Sequence, residues 1–172
     1  MRIPLDTLCV KTGVLCPRCQ SIVRSGSVKE YEVDVMRELL DLEELPDFKF
    51  LKDMEYVRSV TSEGALVIIL QDVRDNTPDP RSLNKLSWVL GERLKTKTRI
   101  ITNTKDLKEV VKQLVFPARI TSVNTIWLPD GTVEYVIRIP KFEMRNLPFK
   151  RREVIEDILT QITGNVVRIR AE

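Results

Sequence analysis

The sequence predicts an α+β protein made of two consecutive units with the same order of elements, preceded by a short cysteine-containing segment. Three observations support this prediction. The chain has 172 residues, which suits one domain or two small ones. Its composition, 42% hydrophobic and 31% charged, is that of a globular protein. Its apolar pattern alternates between helical and strand spacing, and the same order of elements occurs twice.

Five elements are predicted for the first unit. A first helix, ended by Pro46, is predicted by apolar residues at helical spacing, which are Val35, Met36, Leu39, Leu40 and Leu42. Two apolar runs around a turn at residues 61–64 predict a hairpin, and a proline-rich loop follows at residues 74–80. A second helix, capped by Ser82, is predicted by leucines at helical spacing, which are Leu83, Leu86, Leu90 and Leu94. A strand at residues 98–102 completes the unit.

The second unit repeats this order. Its first helix, capped by Thr104, has an apolar face formed by Leu107, Val110, Val111 and Leu114. Asp130-Gly131 predicts a tight hairpin, and a basic stretch without regular pattern follows at residues 140–148. A last helix ends at Gly164, and a final strand follows it. We therefore predict a cysteine segment at 1–28 and domains at 29–103 and 104–172.

Composition excludes several kinds of chemistry. The chain has no histidine, which removes Ser-His-Asp and Cys-His catalytic groups and histidine-based zinc hydrolases. Its six glycines are dispersed, so no glycine-rich phosphate-binding loop is present. We expect a protein without enzymatic activity. No apolar run approaches the about 18 residues that span a bilayer, so no membrane contact is expected. Three clustered cysteines, an odd number, favour a reducing, cytoplasmic location.

Charge is distributed unevenly along the chain. The net charge is only +3, but residues 29–55 carry four basic and ten acidic groups. Residues 56–172 carry twenty basic and fourteen acidic groups. Within them, residues 145–152 hold four positive charges and no negative one. This pattern favours an anionic partner, and a solvated surface with uneven charge is the alternative interpretation.

Three stretches of the second unit carry a resemblance to a known family. They are LVFPARITSV at residues 114–123, VIRIP at residues 136–140 and ITGNVVRI at residues 162–169. In this order and spacing they resemble the tandem KH domains of NusA-type transcription factors, most closely the short archaeal form. The resemblance covers residues 33–171. It implies two type II KH-like domains, each helix-strand-strand-helix-strand with a three-stranded mixed sheet packed by helices.

The sequence departs from the family at the RNA-binding loop. A KH domain places Gly-x-x-Gly where its backbone approaches the nucleic acid, but neither unit has a glycine there. The first unit has Asn76-Thr77-Pro78-Asp79-Pro80-Arg81, and we expect no usual RNA clamp from it. The second has Phe149-Lys150-Arg151-Arg152 there, and Phe149 could stack on a base or fill the core. The predicted nucleic-acid-binding residues are Lys141, Arg145, Phe149, Lys150, Arg151 and Arg152.

All three cysteines lie in the first 28 residues. Cys16-Pro17-Arg18-Cys19 has the two-residue gap of a zinc knuckle, and Cys9 precedes it. A closed zinc site needs a fourth ligand, which Asp6, a partner or water could supply. Zinc is thus a possible cofactor, with Cys9, Cys16 and Cys19 as candidate ligands. A disulfide, a redox pair and reduced buried thiols are the alternatives.

Two functions are consistent with these observations. The resemblance implies a protein that binds single-stranded, nascent RNA during transcription elongation or termination and works with RNA polymerase. The missing glycines favour a second function, an adaptor that docks on RNA polymerase or a ribosomal particle. A metal- or redox-responsive switch in the cysteine segment is a third interpretation. We expect Trp88 and Trp127 to pack in cores rather than to contact a partner.

Overall fold

A computed structural model describes residues 1–74 and 78–172. The chain divides into two compact units. The first contains Met1–Ser59 and Ile68–Asn103, and the second contains Val60–Val67 and Thr104–Glu172. The cysteine segment therefore belongs to the first unit, and the turn of the first hairpin belongs to the second.

The first hairpin and its helices follow in the predicted order. The elements up to residue 103 are α1 (Thr7–Thr12), α2 (Pro17–Arg24), α3 (Glu30–Glu43), a 3₁₀ helix (Pro46–Asp53), β1 (Met54–Ser62), β2 (Ala65–Asp72), α4 (Pro80–Leu94) and β3 (Lys97–Thr102). The three strands form one sheet in the order β1-β2-β3. Glu63 and Gly64 both have positive φ, as in the type I′ turns that join hairpin strands.

The cysteine segment is packed onto the first unit rather than appended to it. Helix α1 contacts α3, and the Arg37 Nε on α3 donates a 2.9 Å hydrogen bond to the Val10 carbonyl. Val10 and Cys19 are fully buried. The backbone of Arg2 pairs with Glu55 at the edge of β1. These contacts order a segment whose own helices are too short to be stable alone.

The second unit has the same plan. Its elements are α5 (Leu107–Val115), β4 (Ser122–Trp127), β5 (Val133–Ile139), a 3₁₀ helix (Lys141–Asn146), α6 (Arg152–Thr163) and β6 (Val166–Ala171). Strand β5 is central, antiparallel to β4 and parallel to β6. Ile137 lies between Val123 and Ile169 in this register. Ile137 and Ile169 are fully buried, as are Ile155 and Ile158 of α6, so one face of the sheet forms the core.

The predicted fold class is confirmed. The protein is α+β, with two three-stranded mixed sheets packed with helices and a cysteine-containing N-terminal segment, consistent with two tandem KH-like domains. Gly164 ends α6 in the left-handed conformation, as predicted. Three residues of the predicted proline-rich loop lie outside the described residues, and they are Asp75, Asn76 and Thr77.

Two predicted helix caps were wrong by two or three residues. Asp79, not Ser82, caps α4, because its carboxylate accepts a hydrogen bond from the Arg81 N–H and Pro80 suits the first helical position. Asp106, not Thr104, caps α5 in the same way, through the Lys108 N–H.

The packing roles predicted for the two tryptophans were also wrong. Trp88 on α4 is 68% exposed, and Trp127 at the end of β4 is 74% exposed. Helical spacing places Trp88 away from the buried side of α4 formed by Leu86 and Leu90. Trp127 stands at the hairpin end of β4, which is an edge strand, and its side chain remains exposed there.

Among the helices in residues 1–74 and 78–172, none has the length and apolarity needed to cross a bilayer.

Candidate functional site

Two short helices bring the cysteines of the N-terminal segment together. Cys9 lies on α1, which Gly13 ends in the left-handed conformation. Cys16 is the residue before α2, and Cys19 lies in the first turn of that helix. Pro17 occupies the first helical position, where its fixed φ favours helix formation. Cys16 and Cys19 therefore both lie at the start of α2, close to Cys9 on α1.

The side chains of Asp6, Cys9, Cys16 and Cys19 form a compact group. Their ligand atoms all lie within 4.8 Å of one another. A tetrahedral Zn²⁺ with bonds of about 2.3 Å to sulfur holds its sulfurs about 3.8 Å apart, so a small contraction satisfies this geometry. All three thiols are free. The four residues could therefore hold a metal ion such as zinc, and three thiols with one carboxylate are ligands that zinc accepts.

Hydrogen bonds orient these ligands. The Asp6 N–H donates to Cys19 Sγ and the Cys16 N–H donates to Cys9 Sγ, each at 3.4 Å. One carboxylate oxygen of Asp6 lies 3.5 Å from Cys16 Sγ, and the other accepts a 3.3 Å bond from Arg18. Such outer contacts fix the direction of ligand atoms, and the Arg18 cation offsets part of the negative charge of a thiolate cluster.

The thiols differ in acidity. Hydrogen bonds, the largest from the Cys19 N–H, lower the pKa of Cys16. The Asp6 N–H lowers the pKa of Cys19, but burial and the neighbouring Cys16 and Cys9 together outweigh it and raise that pKa to about 11. Cys16 therefore ionises more readily than Cys19, and the thiolate is the form that binds metal.

The basic loop, which we define as residues 147–152, contains four of the six predicted nucleic-acid-binding residues. It joins the second 3₁₀ helix to α6, which begins at Arg152. Phe149 and Lys150 have φ of +63° and +59°, the left-handed region that favours glycine. Holding a non-glycine residue there costs about 1–2 kcal/mol, and such strain is concentrated at ligand sites. The loop therefore keeps a glycine-like backbone while carrying an aromatic and a cationic side chain.

Acidic neighbours meet part of this basic loop. Arg151 Nη1 lies 2.5 Å from Glu63 Oε2 of the hairpin turn in the same unit. Arg152 Nε lies 3.6 Å from Glu153 Oε1. All four side chains are between 43% and 58% exposed, so these pairs are weak and can open. Within the described part of the chain, Lys150 has no carboxylate partner.

The predicted nucleic-acid-binding residues lie on one continuous segment. Lys141 and Arg145 are exposed on the second 3₁₀ helix, and Lys150, Arg151 and Arg152 are exposed at the start of α6. Phe149 is half-buried, so its ring is only partly available for stacking. Phe142, which was not among the predicted residues, is 67% exposed on the same 3₁₀ helix. An aromatic residue directly after Lys141 in a basic stretch is the signal that would have found it.

Comparisons with known proteins inform the fold. No family model matches the chain, and the search of curated proteins finds no match. The crystal structure of APE1850 is similar, with a TM-score of 0.51 and 20% sequence identity. The similarity covers 75% of this chain and 99% of that one. Identity this low supports a shared fold and nothing beyond it.

Proposed function

We propose that this protein is a non-enzymatic, single-stranded RNA-binding protein that acts in transcription elongation or termination, as NusA-type factors do. The observation that carries the proposal is the basic loop. Two of its residues, Phe149 and Lys150, have left-handed backbone although neither is glycine. The loop leads directly into the N-terminus of α6, and Lys150 is exposed there. RNA polymerase is the protein partner that this role implies, and the cytoplasm is the compartment.

Anion binding explains a sequence choice that helix stability opposes. Arg151 precedes α6 without a side-chain cap, and Arg152 begins it, so cations meet the positive end of the helix dipole. The first backbone N–H groups of α6 have no partner within the helix. A phosphate at this position would accept hydrogen bonds from those N–H groups and pair with Lys150. Phe142 and Phe149 would supply aromatic surface beside the phosphate.

Charge reversal of the loop tests the proposal. The probe is a fluorescent oligouridylate, and the variant combines Lys150→Glu, Arg151→Glu and Arg152→Glu in the full chain. We expect a large loss of affinity and a slope of log K against log salt concentration that is smaller in magnitude by about 2, because each contacted phosphate contributes about 0.7. Glutamate at the start of α6 favours the helix dipole, so the variant should remain folded.

A control separates local contact from net charge. Lys105→Glu, Lys108→Glu and Arg119→Glu change the charge equally at exposed positions of the same unit. This control should bind RNA with a much smaller loss. Equal affinities for the loop variant and the control would contradict the assignment of the site.

One observation favours the adaptor function instead. Trp88 and Trp127 expose large aromatic surfaces that neither core uses. Exposed aromatic residues are enriched where proteins bind other proteins. If the chain docks on RNA polymerase or a ribosomal particle through them, capture of that partner will resist nuclease and will be lost in Trp88→Ser or Trp127→Ser variants. Capture that disappears with nuclease supports RNA binding.

For the cysteine group we propose a structural zinc site, with Asp6, Cys9, Cys16 and Cys19 as its ligands. Its ligand atoms are already gathered, and it fastens α1 and α2 to one another beside α3. Elemental analysis of the purified chain should find close to one zinc per molecule, lost in Cys16→Ser. Ser21→Ala, a change on the same helix outside the ligand set, should retain it. Metal-free protein whose melting temperature does not respond to added zinc would contradict the site.

A further inference from the structure

Three arginines share the open face of the β4-β5-β6 sheet. Side chains alternate between the two faces of a strand. Ile137 on β5 and Ile169 on β6 are fully buried against the helices. Arg138, Arg168 and Arg170 occupy the alternate positions and are exposed, so they lie on the opposite face. We call these three residues the arginine face.

The strand register places two of these cations directly beside each other. Arg138 pairs with Arg170 across the parallel strands, and Arg168 pairs with Val136. Neighbouring strands are about 4.8 Å apart, and like charges directly opposite each other destabilise a sheet. Stability of the fold therefore does not explain why arginine occupies both positions.

Little on the protein offsets this charge. Arg168 Nε lies 3.9 Å from Glu134 Oε1, at the outer limit of an ion pair. Among residues 1–74 and 78–172, Arg138 and Arg170 have no carboxylate partner. The rest of this face is mixed, with Ile126 and Val166 exposed beside it. The arginine face is thus an exposed cationic surface whose charges are largely available.

We infer that the arginine face binds the phosphate backbone of single-stranded RNA and extends the site on the basic loop. The inference rests on the proposed function. One guanidinium group can donate two parallel hydrogen bonds to the oxygens of one phosphate. Arg168 and Arg170 are two residues apart on β6, so their Cα atoms are about 6.6 Å apart along the strand. Strand β5 leads from Arg138 through Pro140 into the 3₁₀ helix that carries Lys141 and Arg145. The Lys141 N–H donates to the Glu172 carbonyl, which fixes that helix to the end of β6.

A paired substitution tests this surface in the full chain. Arg138→Gln with Arg170→Gln removes the opposed cations without adding negative charge. Lys105→Gln with Lys108→Gln makes the same charge change on an exposed part of the same unit. With oligouridylate as the probe, we expect the arginine variant to bind more weakly. Its slope of log K against log salt concentration should be smaller in magnitude by about 1.4. The lysine control should keep the wild-type slope.

Other results would overturn the inference and identify the reason. Removal of the opposed charges should leave the melting temperature no lower, so weakened binding with an unchanged melting temperature supports RNA contact. An arginine variant that binds like the lysine control, while the loop reversal abolishes binding, refutes the arginine face alone. Loss of retention on immobilised polyglutamate with unchanged RNA affinity would make the face a docking site for acidic protein instead. A wild-type chain that binds no RNA would remove the proposed function and this extension together.

Discussion

The carboxylate of Glu32 accepts a 2.8 Å hydrogen bond from the Tyr56 hydroxyl, in a place where the two residues are only 4% and 3% exposed. The same carboxylate accepts bonds from the Lys29 N–H at 2.7 Å and the Ser59 N–H at 2.9 Å. These bonds join the beginning of α3 to β1. A buried acid is tolerated because both of its oxygens are occupied by donors.

Truncation of this acid should be costly. Glu32→Ala leaves the buried Ser59 N–H without its acceptor and the Tyr56 hydroxyl with only Ser59 Oγ as a partner, and we expect a loss of about 3 kcal/mol in the free energy of unfolding. Glu32→Gln keeps an acceptor oxygen and should lose less. Urea unfolding measures both, with the exposed Glu30→Ala as control. A Glu32→Ala chain as stable as the Glu30→Ala chain would disprove the structural role of this network.

Burial of Tyr56 predicts a loss of stability in alkali. Desolvation raises the pKa of Tyr56 far above its ordinary value, although the Ser59 hydrogen bond acts in the opposite direction. The unfolded chain releases this proton above about pH 10, whereas the folded chain retains it. The stabilising contribution is therefore complete below about pH 10 and decreases as pH rises further. The free energy of unfolding of Tyr56→Phe should decrease less steeply with pH in this range than that of the wild type. Identical pH profiles for the two chains would contradict the assignment.

The left-handed backbone at Lys150 has a measurable signature. Lys150→Gly and Lys150→Ala remove the same charge, but only glycine adopts positive φ without a steric penalty. We expect the glycine variant to be more stable than the alanine variant by about 1 kcal/mol. Chemical denaturation compares the two. Equal stabilities would mean that this residue does not need the left-handed conformation, and the likeness to a glycine loop would lose its basis.

Glu63 should restrain RNA binding, because it neutralises Arg151. Glu63→Gln keeps the size of the side chain, removes the ion pair and should change stability by less than about 1 kcal/mol. We expect tighter binding of oligouridylate and a slope of log K against log salt concentration that is larger in magnitude by about 0.7. Glu109→Gln, which removes the acid paired with Lys112 on α5, is the control. Affinity that rises equally in both variants would reflect net charge and not the release of Arg151.

The elements with strong local signals could be predicted from the sequence. The apolar spacing of α3 and α6 and the Asp130-Gly131 turn each encode their structure within a few residues. Helices α1 and α2 were not predicted, because they have only 6 and 8 residues and helices this short depend on tertiary contacts, such as those of α1 with α3.

The candidate sites were only partly predictable for a similar reason. The Cys-x-x-Cys spacing indicated the group formed by Asp6, Cys9, Cys16 and Cys19, since these residues are close in sequence. The pairing of Arg151 with Glu63 spans 88 residues, and no local pattern indicates it. Exposure of Trp88 and Trp127 also depends on which surfaces other elements cover. Charge in the basic loop was visible in the sequence, but its partners were not.

The end of the first hairpin, Val60–Val67, has a practical consequence for studying the second unit as a separate fragment. It sits within the first repeat of the sequence but belongs to the second compact unit, where Glu63 contacts Arg151 and the Thr61 carbonyl accepts a bond from Gln161. A fragment cut to begin at Thr104 would therefore discard part of the surface it was meant to isolate. RNA affinities measured on such a fragment would overstate the intact protein's, since the acid that competes for Arg151 would be gone.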